Sequence, residues 1–458
     1  MADAARSEPP QLLRGLGAWD ATLLTIGSVL GTGIFITTSD IARGLPHAGL
    51  ILAVWTGGGV LTLAGALTYA ELGAMYPRAG GQYHFLKEAY GPVWGFLFGW
   101  TAFFIIMSGG IATMAVGFGE YLGGFIPFFS TGNVLLEVTV GGRAWSINGG
   151  QLAGALAIAL LSAVNYVGVK EGAGVQNVLT VVKIGSIVGL GAVGVLFDAP
   201  VPARLAAPLP PGSVLAPLGV AMIAVLWSYD GWYAVTAMAG EFKRPDRDVP
   251  VGLIAGTAAC TFLYVLMNVV YVRTIPVDTM GQTPRIAEAA AGVLFGSTGA
   301  RLIAIAVLVS TFGCISSTIL YATRIYLPMA QDGVFFPALA RIHPRYLTPS
   351  ASIVAQGIWS IALTFSGTYD QLYTYVMFAV VLFHAGTGAA VLLLRRTQPG
   401  LARPYRVPGY PWVPVAFIMA CVGLVANTLR ERPIESLIGL VIVLAGLPAY
   451  AFWRRGRA

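Results

Sequence analysis

Two short stretches inside apolar runs carry residue types that could bind a charged solute at membrane depth. The first extends from Gly27 to Phe35 and includes Gly31 and Gly33. Each glycine weakens a helix by roughly 1 kcal/mol relative to alanine. One interpretation is close helix packing through small residues. The other is a discontinuous helix whose freed backbone groups line a cavity.

The second stretch, Trp227 to Trp232, places Asp230 beside Gly231 in the middle of an apolar run. A charged residue at bilayer depth is costly and indicates a functional site by default. Interrupted helices at corresponding positions of two halves of a chain are typical of transporters built on inverted repeats. We therefore favour two broken helices that share one site.

Such a pair of breaks can hold both charges of an α-amino acid with backbone groups alone. The positive N-terminal end of a half-helix attracts a carboxylate, and the negative C-terminal end attracts an ammonium group. We predict that the carboxylate meets the amides of Gly31, Thr32 and Gly33, and that the ammonium group meets the carbonyls of Val29 and Trp227. The rest of the pocket would distinguish the substrate side chain.

Lys183 is a cation about ten residues from either end of an apolar run. It could snorkel to the membrane interface. We favour an ammonium group buried near the broken backbone, where a fixed cation can replace a sodium ion. It would donate to carbonyls at the first break and to hydroxyls such as Ser316 or Ser317. This predicts transport without sodium and leaves proton coupling open.

The composition places these candidates in a membrane protein. The 458 residues are 56% hydrophobic and only 10% charged, whereas soluble domains are about 25% charged. This excludes a free cytosolic enzyme and a disordered chain. The 58 glycines suit helices that pack closely in lipid. The net charge of +7 arises mostly from short loops between apolar runs and therefore does not indicate nucleic-acid binding.

Twelve apolar runs are long enough to cross a bilayer core, which needs about 20 residues. We call them spans 1 to 12, with approximate bounds 17–43, 47–76, 92–122, 149–168, 173–197, 214–241, 250–274, 297–330, 350–368, 370–395, 411–430 and 433–455. They predict an all-α membrane protein, whose longest connections are 123–148, 198–212 and 276–296.

An even number of spans places both termini on one side of the membrane. About 17 lysines and arginines lie on the side of the termini and about 8 on the other, which predicts cytoplasmic termini. The predicted division is an N-terminal segment 1–16, repeats 17–197 (spans 1 to 5) and 198–395 (spans 6 to 10), and a C-terminal part 396–458.

Several motifs together resemble the amino acid–polyamine–organocation (APC) superfamily. The stretch 27–35 is similar to its GSxxGxGIF signature, and 69–73 followed by 77–83 is similar to its motif between spans 2 and 3. The stretches 228–232 and 240–245, and then 310–313, 342–344 and 348–349, resemble the L-type amino-acid transporter branch and its bacterial relatives. The resemblance implies a LeuT-type fold of five plus five helices in inverted repeat, with two extra C-terminal helices. It also implies amino-acid transport by alternating access, and sodium-independent relatives resemble this chain in carrying a lysine at the position of Lys183.

The resemblance also bears on single residues. Related sequences often have a small residue where this chain has Asp230, so we favour local helix capping over a proton carrier or an ammonium partner. Trp227 matches an aromatic gating position, and its size favours a small neutral substrate. His384 is expected to be a hydrogen-bonded core residue, and Glu71 and Glu241 to cap helices or anchor loops.

The predicted site residues fall into two groups. The substrate-binding residues are Val29, Gly31, Thr32, Gly33, Trp227, Ser228 and Asp230, and the ion-mimic group is Lys183, Ser316 and Ser317.

Other functional classes find no support in the sequence. The three cysteines have no metal-ligand or disulfide spacing, and no dinucleotide, Walker or hydrolase motif occurs, so we expect no cofactor, no metal and no enzyme activity. Eukaryotic L-type transporters join a heavy chain through a cysteine between helices 3 and 4. None occurs between Gly119 and Asn148, so we expect no disulfide-linked partner.

The sequence thus predicts a sodium-independent transporter of neutral amino acids in the plasma membrane, working as an exchanger or linked to protons. Two alternatives remain. One is a cationic amino-acid or polyamine transporter of the same fold, with Asp230 as the acid in its pocket. The other is a membrane sensor that binds amino acids without moving them.

Overall fold

The computed structural model describes residues 14–140, 143–167, 172–196, 208–210, 213–346 and 348–455. In these ranges each predicted span is helical over most of its length. Eight helices are long and apolar enough to cross a membrane, and a bent pair at the start of the chain makes a ninth crossing if counted as one span. The protein is therefore a multi-pass membrane protein. The count of twelve spans, the inverted repeat and the division at 197 and 395 stay predictions.

Sixteen α-helices occur in the described ranges. They are α1 Ala18–Val29, α2 Gly33–Gly44, α3 Ala48–Met75, α4 Gln82–Tyr90, α5 Pro92–Leu122, α6 Gly149–Val167, α7 Gly172–Leu196, α8 Leu215–Tyr229, α9 Ala234–Ala237, α10 Pro245–Thr274, α11 Val277–Met280, α12 Ile286–Gln331, α13 Ser350–Thr364, α14 Tyr369–Thr397, α15 Trp412–Glu431 and α16 Pro433–Arg455. Short 3-10 helices are Pro127–Phe129, Ala239–Glu241 and Pro337–Ala340.

Span 1 is broken as predicted. Helices α1 and α2 are bent by 41° relative to each other, and Leu30 leaves helical geometry with ψ of 73°. At the start of α1 the Asp20 carboxylate accepts the Gly17 N–H at 2.9 Å, which satisfies one of the amides that a helix start leaves open. The break is thus a local feature between two regular helices.

Span 6 is broken more severely. Helix α8 ends at Tyr229, Asp230 is extended with ψ of 154°, and Gly231 has φ of +95°. Only glycine adopts this left-handed backbone at low cost. After it the chain forms the four-residue α9 and one 3-10 turn, so the second half of the span is much shorter than a regular half-helix.

The connections contain more structure than the sequence indicated. The connection 123–148 holds an antiparallel hairpin, β1 Val134–Val140 and β2 Arg143–Asn148, so the fold is not entirely α. The connection 276–296 holds α11 and the start of α12, which is interrupted at Gly296 with φ of +68°. These elements are short, and their sequences lack the long apolar run that identifies a span.

Small residues allow the helices around the breaks to approach each other. A Cβ atom on Gly252 of α10 would lie 2.6 Å from the Cβ of Ala21 on α1, and one on Gly256 would lie 2.5 Å from the Cβ of Thr25. Such contacts are typical of membrane helices, which gain little from apolar burial and associate through close packing. They hold α1, the first half of the broken span 1, against α10.

Candidate functional site

The two breaks meet at one small cavity of about 30 Å³. It lies between the α1–α2 break, helix α5, the α8–α9 break and helix α12. All seven residues predicted to bind substrate line this cavity, together with Met107, Met114, Cys314 and Tyr321. The structure thus brings together residues about 200 positions apart in sequence, while their binding role stays a prediction.

Two glycines allow the broken helices to touch. A Cβ on Gly33 would lie 2.5 Å from Oγ of Ser228, and a Cβ on Gly231 would lie 2.8 Å from the carbonyl oxygen of Ser28. Real Cβ atoms do not approach this closely, so both positions require glycine. The GxG pattern at the first break is therefore a packing requirement as well as a source of exposed backbone.

The side chain of Tyr264 on α10 contacts the backbone of both breaks. Its hydroxyl lies 2.8 Å from the carbonyl oxygen of Val29 and 2.9 Å from that of Ser228. A phenol has one proton to donate, so the two carbonyls share it. Tyr264 is not among the site residues predicted from the sequence, although a tyrosine within the apolar run of span 7 is a detectable signal.

One part of the predicted amino-acid geometry differs in this structure. The Gly31 N–H donates to the carbonyl of Val29 at 2.7 Å, so these two groups satisfy each other. With Tyr264 as a second donor, both lone pairs of the Val29 carbonyl are used. The N–H groups of Thr32 and Gly33 lie at the start of α2. The N–H groups in the first turn of a helix have no acceptor within that helix. The carbonyl of Trp227 accepts the Asp230 N–H at 3.1 Å.

Lys183 reaches the first break. Its side chain is 2% exposed, which excludes snorkelling, and Nζ lies 3.3 Å from the carbonyl oxygens of Gly27 and Leu30. Ser310 on α12 donates to the same Leu30 carbonyl at 3.1 Å. The thiol of Cys314 lies 3.2 Å from the carbonyl of Ser28. The first break is therefore held by donors from α7 and α12.

The two serines expected beside Lys183 have other partners. The hydroxyl of Ser316 accepts from Asn165 at 3.0 Å, and that of Ser317 donates to Gly313 in its own helix at 3.1 Å. The α12 hydroxyl that shares a carbonyl with Lys183 is instead that of Ser310, which is seven positions before Ser317 and therefore nearly on the same helix face. The sequence could not distinguish these positions, because the rotation and height of α12 depend on its packing.

Asp230 does not act through its side chain as a helix cap. Its backbone N–H closes the end of α8, but Oδ2 lies 3.5 Å from the hydroxyl of Tyr233. Among the described residues none donates to Oδ1, which is buried. The capping role is thus carried by the backbone, and the carboxyl group is left for another role.

An aromatic layer covers the cavity. The indole of Trp227 donates to the hydroxyl of Tyr369 at 2.9 Å, and the hydroxyl of Thr32 lies 3.1 Å from the same oxygen. Tyr373 stacks on Trp227, with ring centroids 6.3 Å apart. Beyond this layer lies a vestibule of about 1210 Å³ lined by Asp40, Glu120, Asp370 and Arg432 among others. Tyr369 and Tyr373 line the vestibule and Trp227 lines the cavity, so this layer lies between the two spaces.

The other end of the site is closed by hydrogen bonds and ion pairs. The N–H of Lys243 donates to the carbonyl of Leu16 at 2.8 Å, which ties the chain before α1 to the chain after span 6. Nε of Arg324 on α12 donates to Glu241 at 3.1 Å. Glu241 thus anchors a loop, one of the two roles considered for it.

Two more carboxylates strengthen this closed end. Glu71 accepts from Arg395 at 2.6 and 2.8 Å and from the N–H of Val407 at 2.8 Å, and so anchors the loop after α14. Asp332 accepts from Lys87 and Tyr83 at 2.5 Å. Burial alone raises the pKa of Asp332, but these hydrogen bonds outweigh it and hold the pKa below its usual value. The pair with Lys87 is therefore present at neutral pH.

Comparisons with known proteins give independent evidence on the family of this chain. The model of a family described as amino acid permease matches residues 16–446. The serine/threonine exchanger SteT of Bacillus subtilis is 29% identical, with 99% of each chain covered. The human b(0,+)-type amino acid transporter 1 is 30% identical over 96% of this chain and 88% of its own. The human cystine/glutamate transporter is 29% identical over 97% and 87%.

Proposed function

The chain belongs to the amino acid permease family of the APC superfamily, and from this premise we propose that it is a sodium-independent transporter of small neutral amino acids. Amino-acid transport, rather than enzyme activity, is the function of its homologues. We place it in the plasma membrane with cytoplasmic termini and without a disulfide-linked partner. It works by alternating access, as an exchanger or linked to protons.

The meeting of two helix breaks at one cavity is the observation that carries the proposal. The N–H groups of Thr32 and Gly33 lie at the start of α2, where the helix dipole favours a carboxylate. The carbonyl of Trp227, at the end of α8, favours an ammonium group. An α-amino acid carries both charges a short distance apart.

The size of the cavity supports a small substrate. Its walls include the indole of Trp227 and the thioethers of Met107 and Met114. A cavity of about 30 Å³ must widen for any amino acid, and these bulky walls have to move less for a small side chain than for a large one. The name of the SteT relative, a serine/threonine exchanger, points to substrates of this size.

Lys183 supports independence from sodium. Its ammonium group contacts two carbonyls of the first break, at Gly27 and Leu30. Backbone carbonyls at unwound membrane helices are the groups that coordinate Na⁺ in transporters. A covalently attached cation at this place makes the site independent of a dissolved one.

Alternating access needs one end of the site to open while the other is closed. The Trp227–Tyr369 layer is thin and contacts a large vestibule, whereas Glu241, Arg324 and Leu16 close the opposite end. We propose that the vestibule faces outwards, and that breaking the Glu241–Arg324 pair accompanies opening to the cytoplasm.

A cationic amino acid is the second candidate substrate. Asp230 lines the cavity, and its Oδ1 has no donor among the described residues. A lysine or arginine side chain could supply one. The names of the b(0,+)-type relatives carry both the neutral and the positive charge symbol, so the substrate panel must include both classes.

Uptake into proteoliposomes that contain the purified protein alone tests the proposal. Labelled serine, alanine, leucine, arginine and putrescine are compared in sodium and sodium-free buffer, with and without unlabelled amino acid inside. We expect uptake of serine and alanine without sodium, and protein-free liposomes set the background. Uptake of arginine alone would favour the cationic alternative. Binding without uptake of any solute would favour a sensor, and a sodium requirement would contradict the role of Lys183.

A further inference from the structure

A second cavity, of about 20 Å³, lies on the other side of Asp230 from the candidate substrate cavity. It is enclosed by helices α3, α8, α14 and α15, and Asp230 is the residue that lines both cavities. A space of this size holds about one water molecule. The Asp230 carboxyl group therefore lies between the candidate substrate cavity and a second cavity, in which Thr62 and His384 are the other polar side chains among a mostly apolar lining.

The Asp230 carboxyl group is incompletely satisfied. Oδ2 lies 3.5 Å from the hydroxyl of Tyr233, while Oδ1 is buried without a donor among the described residues. None of the ion pairs in the described part of the chain includes Asp230. A charge held this way at membrane depth is costly, and protonation removes the cost.

The groups that face Asp230 do not supply a permanent positive charge. They are Tyr69 from α3, Tyr233 before α9, Cys314 and Tyr321 from α12, His384 from α14 and Cys421 from α15. Tyrosine and cysteine are ordinarily neutral at pH 7. Nδ1 of His384 bonds to the hydroxyl of Tyr69 at 2.6 Å. A proton is therefore the cation that this environment can supply to Asp230 in the absence of substrate.

We propose that Asp230 is a proton-binding site that competes with the ammonium group of the substrate. The inference rests on the proposed function and deepens it. The carbonyl of Trp227 that we assign to the ammonium group also accepts the N–H of Asp230, at 3.1 Å. An ammonium group bound there lies next to the Asp230 carboxyl group and favours its charged form.

The proton step balances without any other reactant. In the empty site Oδ1 accepts a proton from a hydronium ion, so one O–H bond forms, one breaks, and the charge of Asp230 goes from −1 to zero. When the substrate binds, the O–H bond of Asp230 breaks and the proton passes to a water molecule, which becomes a hydronium ion. Substrate and proton thus bind in alternation, and low pH weakens substrate binding.

The test measures KM for serine exchange in proteoliposomes between about pH 5.5 and 8, with equal pH on both sides. In parallel, proton release on serine addition is followed with an indicator dye in weakly buffered detergent solution. We expect KM to rise as pH falls, by up to about tenfold per pH unit for a single competing proton, and serine to release protons. Asp230→Asn should show neither the pH dependence nor the release.

Two further variants distinguish loss of the carboxyl group from misfolding of Asp230→Asn. Asp230→Glu keeps a carboxyl group and should keep a pH-dependent KM with a displaced midpoint. Asp278→Asn removes an exposed acid on α11 and should behave as the wild type. A wild-type KM that is flat with pH, or proton release that persists in Asp230→Asn, would overturn the inference. Absence of transport for every amino acid at every pH would instead refute the proposed function.

Discussion

The two helix breaks are held in place by different means. Donors from three other helices, Lys183, Tyr264 and Ser310, reach the carbonyls of the first break. The second break depends on the left-handed backbone of Gly231 and leaves an oxygen of Asp230 without a donor among the described residues. The first break is thus a fixed half of the site, and the second is the half whose electrostatics can change. Substitutions at each break should show whether transport depends more on the fixed geometry of the first break or on the charge of the second.

Lys183→Ala should have the largest effect, a loss of transport of at least about 100-fold. Removing the ammonium group leaves the buried carbonyls of Gly27 and Leu30 without their charged donor, and such hydrogen bonds contribute about 1.5–3 kcal/mol each. Initial uptake rates, normalised to protein in the membrane, measure the loss. Arg396→Ala, which removes an exposed cation just after span 10, is the matched control. Wild-type rates in Lys183→Ala would refute the role of a fixed cation.

Gly231→Ala should lower transport by about tenfold. A left-handed backbone costs a non-glycine residue about 1–2 kcal/mol, and the new Cβ would lie 2.8 Å from the Ser28 carbonyl. Gly185→Ala provides the comparison, because a Cβ there meets nothing within 4 Å and alanine favours the helix. Equal thermal stability and uptake in the two variants would show that the second break tolerates rearrangement.

Ser310→Ala should reduce transport by about threefold. It removes one neutral donor from the Leu30 carbonyl, which keeps Lys183 as its charged donor, and a neutral hydrogen bond contributes about 0.5–1.5 kcal/mol. Ser186→Ala is a suitable control, since that hydroxyl is exposed and bonds to Val182 in its own helix. A loss as large as that of Lys183→Ala would mean that the serine, not the lysine, fixes the break.

Thr32→Ala should have the smallest effect, a rise in KM of about twofold. If the amides of Thr32 and Gly33 hold the carboxylate, the hydroxyl serves mainly to position Tyr369, 3.1 Å away. A single neutral hydrogen bond contributes little free energy. Concentration dependence of serine exchange measures the change. Complete loss of exchange would identify the hydroxyl as an essential ligand. The first break would then bind the substrate through a side chain and not through backbone N–H groups alone.

Local signals explain why the positions of both breaks were predictable. Three glycines between Gly27 and Gly33, and an acid beside Gly231, interrupt apolar runs that otherwise favour helix. Helix preference and the cost of charge in lipid depend on residue type and immediate neighbours. For the same reason the span bounds followed from hydropathy alone, and the burial of Lys183 followed from its distance to both ends of its run.

Contacts between distant segments were not predictable in the same way. The choice of Ser310 over Ser316 and Ser317, the bridging by Tyr264, and the mutual satisfaction of Gly31 and Val29 all depend on how helices are rotated and shifted against each other. A shift of one residue turns a helical side chain by 100°. Hydropathy identifies a buried span but does not specify that angle.

The sequence by itself determined the class of this protein, the apolar segments that form helices and the two places where a helix must break. These depend on composition, on glycine and on charge within short windows. The tertiary structure alone decided that both breaks open onto one cavity, that Lys183 reaches Gly27 and Leu30, and that Asp230 lies between two cavities. These facts depend on close packing among helices far apart in the chain, and close packing is a property of the assembled fold.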